Sequence, residues 1–379
     1  MNLVALKMLT GDRAKYLALV FAIAFATFLM SHQSSVLAGI MRRTESQILD
    51  VVDASVWVMD AETLYIDENR PLRSEELYRV RGVAGVAWAV PLYKGQSRAK
   101  SGDGRFRAVI LMGLDDQSLV GGPPKMIAGS VDNLREPGAV IVDKAGYVFF
   151  FPGQPLALGR TLELDGRRVH IAGICDSSAP FLTLPVFYSR YSEAIASATR
   201  ERNAMSFILV RPARGVSDGE ICARIRNATG LAAFTGEDFG WKTLVYYGLH
   251  TGIPLNFGIT IAIALAVGTV VTGQTFYLFT LENLKHFGSL KAVGVTNVRL
   301  TGMILLQALL VCSIGSSIGI ALTAAFFVLT NMTLDLRGFF LPWQIAVGVV
   351  ATALLITVAA SLLSIRRVLV LEPATVLRG

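Results

Sequence analysis

The chain has 379 residues, of which 53% are hydrophobic and 17% are charged, and its formal net charge is +7. Soluble domains carry about 25% charged residues, so the composition argues against an ordinary soluble protein. The positive charge is not arranged as a basic stripe interleaved with aromatic residues. We therefore expect no nucleic-acid partner.

Four stretches contain no Lys, Arg, Asp or Glu, and each is long enough to cross a bilayer as a helix. A span needs roughly 20 apolar residues. We predict an α-helical membrane protein with four transmembrane helices and a large α+β extracytoplasmic domain between the first and the second. The charge-free stretches are residues 16–41, 243–281, 300–334 and 338–365, and the spans predicted from them are residues 16–40, 252–281, 297–329 and 342–365.

Lys and Arg cluster before the first span, between the second and third, and after the fourth. Basic residues near span ends favour the cytoplasmic side, so we predict that both termini, segment 282–296 and the tail 366–379 face the cytoplasm of a cell with an inner membrane. Loop 330–341 has only Arg337 and is predicted to face the periplasm. The clustered residues are Lys7, Arg13, Lys15, Lys285, Lys291, Arg299, Arg366, Arg367 and Arg378.

The first 40 residues allow two interpretations. Residues 1–15 are predicted to form an amphipathic helix on the cytoplasmic face, followed directly by the first span. The alternative is a cleaved signal peptide with a basic start, an apolar centre and a cut site at 36–38. The length of the apolar run favours the span.

Residues 41–251 alternate strand and helix signals, which predicts an α+β periplasmic domain. Asp165-Gly166 lies between alternating runs and predicts a hairpin with a type I′ turn. Its expected buried side chains are Leu162, Leu164, Val169 and Ile171. Further strands are predicted at 53–60, 85–93, 105–113, 139–143 and 206–210.

Helix signals in this domain are fewer. Ser74 is a predicted N-cap, and Ser217 with Glu220 forms a predicted capping box for helix 217–230. That helix has too few apolar residues to predict a deep core position. A division into two lobes is predicted near residues 121–124.

The three cysteines allow more than one arrangement. Cys175 and Cys222 either pair in an oxidising compartment or remain two separate buried thiols, which is the favoured interpretation. Cys312 lies in an apolar span, where we expect it to contribute to packing.

No chemistry-bearing motif stands out. The chain has no phosphate-binding loop and no His-Glu-x-x-His motif, and its four His residues are scattered, so we expect no catalytic, cofactor or metal site. Residues 315–319 match the Gly-x-Ser-x-Gly pattern around Ser317, which would suit an intramembrane serine hydrolase. We favour a helix-packing role for Gly315 and Gly319. The absence of charges in the spans also disfavours an ion-coupled transporter.

Segment 282–296 is a short, patterned excursion between two spans. Leu284, Phe287, Leu290 and Val293 recur every three residues and predict a helix with an apolar stripe. Gly294 is a predicted C-cap, and Thr296 a predicted N-cap of the third span. From the pattern alone, a partner-docking helix and a connector lying among lipid headgroups are both open.

This region resembles a known family. The sequence 282–300, continued by 301–322, resembles the coupling region of MacB/FtsX-type ABC permeases. The tail 372–379 and segment 77–91 are similar to patterns of the same family, and the order of one span, a large domain and three spans agrees with it. Segment 273–284 resembles the permease subunits of heterocyst-glycolipid-type (DevC-like) exporters.

The resemblance implies a function. The chain would be the permease of an export system and would transmit ATP-driven motion to the periplasm (mechanotransmission), in a tripartite pump for a lipid, glycolipid or other amphipathic compound. It would not be an enzyme, because an ABC ATPase would act in trans. The coupling helix 282–296 would dock on that ATPase through Leu284, Lys285, Phe287, Leu290, Lys291 and Gly294.

Other implied partners are a second copy of the chain, a periplasmic adaptor, an outer-membrane channel and membrane lipids. The small residues Ala18, Ala22, Ala24 and Ala26 predict that the homodimer contact includes the first span, and we expect the second span to contribute as well. An FtsX-like regulator of a periplasmic cell-wall hydrolase is the alternative function. The length of the extracytoplasmic domain favours the pump.

Overall fold

A computed structural model describes residues 2–11, 13–68, 70–100, 102, 104–197, 205–331 and 333–369. Its residues fall into two compact units. The helical unit comprises residues 1–39, 252–330 and 339–379, and the α+β domain comprises residues 40–251 and 331–338.

The helical unit is built from long apolar helices. Within the described ranges, four helices are long and apolar enough to cross a membrane, namely α2, α8, α10 and α11. The elements of this unit are α1 (Asn2–Gly11), α2 (Arg13–Leu49), α8 (Ile253–Glu282), α9 (Leu284–Ala292), α10 (Asn297–Thr330) and α11 (Trp343–Leu369). Helix α2 continues beyond Gly39 into the α+β domain.

Close approach of α2 and α10 depends on small residues. A Cβ atom on Gly315 would lie 2.9 Å from Ile23 and 3.0 Å from the carbonyl oxygen of Val20. A Cβ atom on Gly319 would lie 2.6 Å from the carbonyl oxygen of Ala24. Farther along the same contact, the hydroxyls of Ser31 and Thr323 lie 2.6 Å apart in a buried hydrogen bond. Small residues and hydroxyl pairs are typical of helix contacts in lipid.

The α+β domain is organised around a ten-stranded sheet. Its order is β10-β1-β9-β2-β3-β8-β5-β7-β4, with β6 paired to both β2 and β7. The strands are β1 (Val56–Met59), β2 (Val86–Lys100), β3 (Phe106–Leu114), β4 (Met126–Ala128), β5 (Ala139–Asp143), β6 (Thr161–Leu164), β7 (Arg167–Cys175), β8 (Val186–Arg190), β9 (Phe207–Pro212) and β10 (Ala232–Thr235). The helices are α3 (Ser74–Arg81), α4 (Lys144–Phe150), α5 (Tyr191–Ser197), α6 (Asp218–Thr229) and α7 (Gly236–His250).

Strand β1 is buried on both faces of the sheet. Trp57 and Met59 face one cluster, where the Trp57 ring lies 5.3 Å from Phe207 and 5.7 Å from Phe239 of α7. Val56 and Val58 face the opposite cluster, which contains residues of α3 and α6. Alternation of side chains along a strand therefore explains why this segment is apolar throughout.

The Asp165-Gly166 hairpin forms as the sequence predicts. Strands β6 and β7 pair antiparallel, and the two turn residues have φ angles of 45° and 82°. Positive φ at both positions is the signature of a type I′ turn. The four expected side chains of this hairpin are all buried.

Several expectations for the α+β domain were wrong. Helix α3 begins at Ser74 itself, with Arg73 in the N-cap position and no side-chain cap. Segment 121–124 does not separate two compact units. The two halves of the sheet instead meet along β2, which pairs with β9 over its first half and with β3 over its second.

Helix α6 also lies deeper than its composition suggested, because Ile221 and Ile225 are fully buried and Cys222 joins them. Its Ser217 cap is present, with the hydroxyl accepting the Glu220 amide at 3.3 Å. The Glu220 carboxylate pairs with Arg224 instead of closing the capping box.

The described cysteines Cys175, Cys222 and Cys312 are buried free thiols, as the favoured interpretation held. Burial raises the pKa of Cys222 to about 11.

Helix α2 and loop 330–341 differ from their predicted bounds in ways that affect the division into units. Helix α2 runs nine residues past the predicted span end at 40, because no Gly or Pro interrupts residues 41–49. Most of predicted loop 330–341 folds with the α+β domain, since residues 331–338 belong to that unit.

We expect Gly319→Val to destabilise the helical unit by roughly 1–3 kcal/mol, because the added side chain overpacks a backbone contact. Gly302→Val in the same helix is the matched control, since nothing lies within 4 Å of its Cβ position. Thermal unfolding in detergent checks this difference. Equal loss of stability in both variants would contradict the close-packing role.

Candidate functional site

The candidate site is the corner between α8 and α10. Helix α8 ends at Glu282, and α9 follows after Asn283. The side-chain amide of Asn283 donates to the Phe279 carbonyl at 2.8 Å. The backbone carbonyl of Asn283 accepts the Phe287 amide at 3.0 Å. Asn283 thus satisfies backbone groups at both helix ends, which fixes the bend there.

A Schellman motif ends α9. Gly294 has a φ of 95°, which side chains other than glycine rarely adopt. The Gly294 amide donates to the Lys291 carbonyl at 3.0 Å, and the Val295 amide donates to the Leu290 carbonyl at 3.1 Å. This is the hydrogen-bond pair expected of the motif. Helix α10 begins at Asn297, and the Thr296 carbonyl accepts the Leu300 amide at 3.1 Å.

Two residues of the apolar stripe of α9, Phe287 and Leu290, pack inside the chain. Phe287 is 1% exposed and belongs to a cluster with Ala5 of α1 and Leu300, Met303 and Ile304 of α10. Leu290 packs against the same cluster. In this structure Phe287 is therefore unavailable as an anchor for a partner, because its surface is already covered by the chain.

Different side chains face outward at the corner. Lys285, His286 and Ser289 of α9 are exposed. Two apolar residues at the corner, Val293 before Gly294 and Val298 in the first turn of α10, are 86% and 82% exposed. Val293 was part of the predicted stripe, whereas Val298 was missed. Its position beside a glycine corner between two spans was the available signal.

Two contacts fix α1 and the start of α2 beneath this corner. The Gln307 amide of α10 donates to the Ala5 carbonyl at 2.7 Å, in a buried hydrogen bond. The Lys15 ammonium lies 2.6 Å from the Glu282 carboxylate at the end of α8. The exposed corner thus lies on a packed base, and α9 is joined to α10 by buried side chains instead of by the backbone alone.

The sequence 315–319 is not a nucleophile elbow. It lies inside α10, not at a strand-to-helix turn, and the Ser317 hydroxyl donates to the Ser313 carbonyl at 2.7 Å. His32 of α2, a histidine within the spans that could have served as a base, packs against the rings of Phe326 and Phe327. Among the described residues, no group of three or more His, Cys, Asp or Glu side chains is placed to hold a metal ion.

Comparison with protein families identifies two regions. Residues 16–228, more than half of the chain, match the MacB-like periplasmic core domain. Residues 258–373 match the C-terminal region of FtsX-like permeases. The segment between the two matches, residues 229–257, contains β10, α7 and the start of α8.

Curated relatives carry related descriptions. An uncharacterized ABC transporter permease of Mycobacterium tuberculosis is 23% identical over 224 residues, which cover 59% of this chain and 58% of the relative. An uncharacterized ABC transporter permease of Mycobacterium bovis is 30% identical over 113 residues, covering 30% of this chain and 31% of the relative. The first match thus spans less than two thirds of the relative's length.

Two solved structures are also similar. The periplasmic region of MacB from Actinobacillus actinomycetemcomitans has a TM-score of 0.39 and 14% identity, covering 51% of this chain and 94% of that chain. The extracellular domain of the noncanonic ABC-type transporter YknZ from Gram-positive bacteria has a TM-score of 0.35 and 17% identity, covering 48% and 98%.

We expect Phe287→Ala to destabilise the corner, because truncation of a buried Phe costs roughly 3–5 kcal/mol. Val293→Ala should leave stability unchanged, since that side chain is already exposed. Hydrogen–deuterium exchange of residues 284–304 in detergent measures the difference. If both variants exchange like the unmodified chain, Phe287 does not hold α9 against α10.

Proposed function

The chain belongs to the MacB/FtsX family of ABC transporter permeases, and we propose that it is the membrane subunit of an export system driven by a partner ATPase. The family and its four apolar helices make it a multi-pass membrane protein. The observation that carries the proposal is the corner at Gly294, where two highly exposed valines lie at the end of α9 and in the first turn of α10.

The corner has the properties of a docking surface. Apolar area removed from water contributes about 25 cal/mol per Å², so Val293 and Val298 would gain from a partner's apolar cleft. Lys285, His286 and Ser289 add polar groups on the exposed side of α9. These exposed residues replace Phe287 and Leu290 as the proposed anchors. Lys291 and Gly294 keep their proposed positions beside the contact.

The base of the corner would convert docking into movement. Phe287 packs α9 against α10 and α1, and Gln307 joins α10 to α1. A packed core does not deform continuously, so a displacement of the docked corner would move these helices together. We propose that this is how ATP-driven motion enters the permease. The ATPase, not this chain, would perform the hydrolysis.

The charge distribution supports an orientation. Lys15, Lys285 and Arg299 lie at the end of the helices where the corner is found, and the positive-inside rule places that end in the cytoplasm. We propose an inner-membrane protein with both termini in the cytoplasm. The α+β domain would then lie in the periplasm, where it would contact a periplasmic adaptor that leads to an outer-membrane channel.

The cargo class follows from the resemblance of residues 273–284 to the heterocyst-glycolipid-type exporters. We propose a lipid, glycolipid or other amphipathic compound. The spans offer no charged groups that would line a polar conduit, which suits a machine that moves its cargo through the α+β domain. That domain's 200 or so residues favour a pump over a regulator of a cell-wall hydrolase.

A second copy of the chain is also proposed, with its contact on the second span, α8, and not on the first. Ala22, Ala24 and Ala26 of α2 are at most 7% exposed, because they pack within the chain. Helix α8 is the least covered, with 17% of its most apolar stretch buried against 50% for α2 and for α10.

One row of α8 side chains suits a close contact between copies. Its members recur every four residues and are all exposed, namely Gly258, Ala262, Ala266, Val270 and Gln274. Small residues at this spacing allow close helix approach. Within the described chain the Gln274 carboxamide has no hydrogen-bond partner, and a second copy would supply one inside the bilayer.

We expect Val298→Asp to lower co-purification of the ATPase at least about tenfold, since the lost apolar contact and an unpaired charge together exceed 1.4 kcal/mol. Asp in the first turn of α10 is compatible with the helix dipole, so folding should persist. Val52→Asp, at a 68% exposed site of the α+β domain, is the matched control. Pull-down from host membranes provides the measurement, and equal ATPase recovery in both variants would refute the docking surface.

We expect single-cysteine variants Ala262→Cys and Ala266→Cys to crosslink between copies in native membranes under mild oxidation. Ala264→Cys is the control, because Ala264 is 5% exposed and faces the inside of the same chain. Non-reducing gels report the dimer band. Crosslinking of Ala264→Cys alone, or of none of the three, would contradict a contact along this row.

A further inference from the structure

The connection between α10 and α11 is built into the α+β domain. Residues 331–338 belong to that unit and not to the helical one. The Arg337 amide donates to the Thr333 carbonyl at 3.0 Å, and the Gly338 amide donates to the Asn331 side chain at 2.9 Å. These bonds close the segment on itself, so it has a defined shape that the rest of the domain can hold.

A buried ion pair anchors this segment. The Arg337 guanidinium pairs with the Asp143 carboxylate at the end of β5. Asp143 is fully buried, and the Arg337 side chain is 11% exposed. The second carboxylate oxygen of Asp143 accepts the Val186 amide at 2.9 Å. Burial raises the pKa of Asp143, and the charge of Arg337 opposes that rise.

A second arginine holds the backbone of the same segment. The Arg43 guanidinium at the end of α2 donates to the Asp335 carbonyl at 3.0 Å and also to the Arg337 carbonyl. Nearby, the Ser46 hydroxyl donates to the Ala179 carbonyl at 2.9 Å. The end of α2 is therefore joined both to segment 331–338 and to the loop after β7.

The chain that links segment 331–338 to α10 and to α11 is short on both sides. Asn331 follows the last residue of α10 directly, and only residues 339–342 separate Gly338 from α11. An extended chain spans at most about 3.6 Å per residue, so that link reaches roughly 14 Å when fully stretched. Movement of the end of α10 must therefore displace segment 331–338 or break its anchors.

We propose that Asp143 and Arg337 pin segment 331–338 into the α+β domain throughout the working cycle, so that α10 and α11 drive that domain through this loop. This role rests on the proposed function and adds a route to it. Separation of the two side chains would leave Asp143 as a buried charge without its partner, which is costly. We therefore expect the ion pair to remain formed when α10 moves. Helix α2 and the start of α8 are further chain connections between the two units and would transmit part of the movement.

The first experiment measures whether the domain follows α10. Spin labels are placed at Arg214→Cys in the α+β domain and Leu329→Cys near the end of α10, both exposed. The full chain is studied in nanodiscs with its co-purified ATPase, without nucleotide and with ATP and vanadate. We expect a narrow distance distribution that nucleotide does not shift.

In Arg337→Gln that distribution should widen at least about twofold, because the unpaired Asp143 disfavours the docked loop. The double variant Asp143→Asn with Arg337→Gln removes both charges and therefore leaves none unpaired. It replaces the single variant in this measurement if the single variant does not fold. Arg135→Gln, a surface change in the same domain, is the matched control. A nucleotide-dependent shift in the unmodified pair, or an unwidened distribution in both pin variants, would overturn the proposal.

The second experiment tests whether the loop must undock. A Cβ on Gly338 would lie 3.3 Å from the Ala179 Cβ, close to the separation found in disulfides. The variant Gly338→Cys with Ala179→Cys, in a Cys175→Ala background, is compared oxidised and reduced, with each single cysteine variant as a control for strain at Gly338. We expect equal ATP turnover by the complex in both states. Arrest on oxidation with recovery on reduction would show that the pin opens, against the proposal.

The two proposals can fail separately. If no ATP-hydrolysing subunit co-purifies, the proposed function fails. The comparison of spin-label widths without nucleotide still decides whether Arg337 pins the loop. If the ATPase is present and the pin variants behave like the unmodified chain, the pin alone is refuted.

Discussion

The absence of water inside a bilayer constrains everything in the helical unit. A lipid-facing helix cannot leave backbone groups unpaired, and it gains little from apolar contact with another helix because lipid is equally apolar. Contact between helices must come from close fit. Gly315 and Gly319 provide that fit against α2, and the Ser31–Thr323 hydrogen bond continues it. Helices α1, α8 and α11 contribute residues to the buried cluster that α2 and α10 form beside this contact.

The corner at Gly294 shows how one segment serves two purposes. Its inner side continues the packing of the helical unit, because Phe287 joins α1 and α10. Its outer side exposes Val293 and Val298, which no neighbouring element of the described chain covers. A corner whose inner residues are tightly packed and whose outer apolar residues are exposed is suited to bind a partner and to move with it. The positive φ of Gly294 is what makes so sharp a corner possible.

In the α+β domain, polar groups hold segment 331–338 in place, whereas in the helical unit small residues hold α2 and α10 together. Asp143, Arg337 and Arg43 are partly or fully withdrawn from water, and each contacts a specific partner. Such groups are costly to bury and costly to separate once paired. They therefore define where segment 331–338 lies much more narrowly than apolar contacts would.

The sequence by itself determined the features whose physics is local. Charge-free runs of sufficient length predicted the four apolar helices, Asp165-Gly166 predicted the hairpin, and Gly294 predicted the helix end, because each depends on neighbouring residues only. Tertiary structure alone decided that Phe287 faces inward, that Ala22, Ala24 and Ala26 are covered within the chain, and that Arg337 meets Asp143 across 194 positions. A helical stripe shows that one face is apolar, but not whether its own chain or a partner covers it. Likewise, a lone arginine in a loop carries no local signal of a carboxylate that only the folded sheet brings beside it.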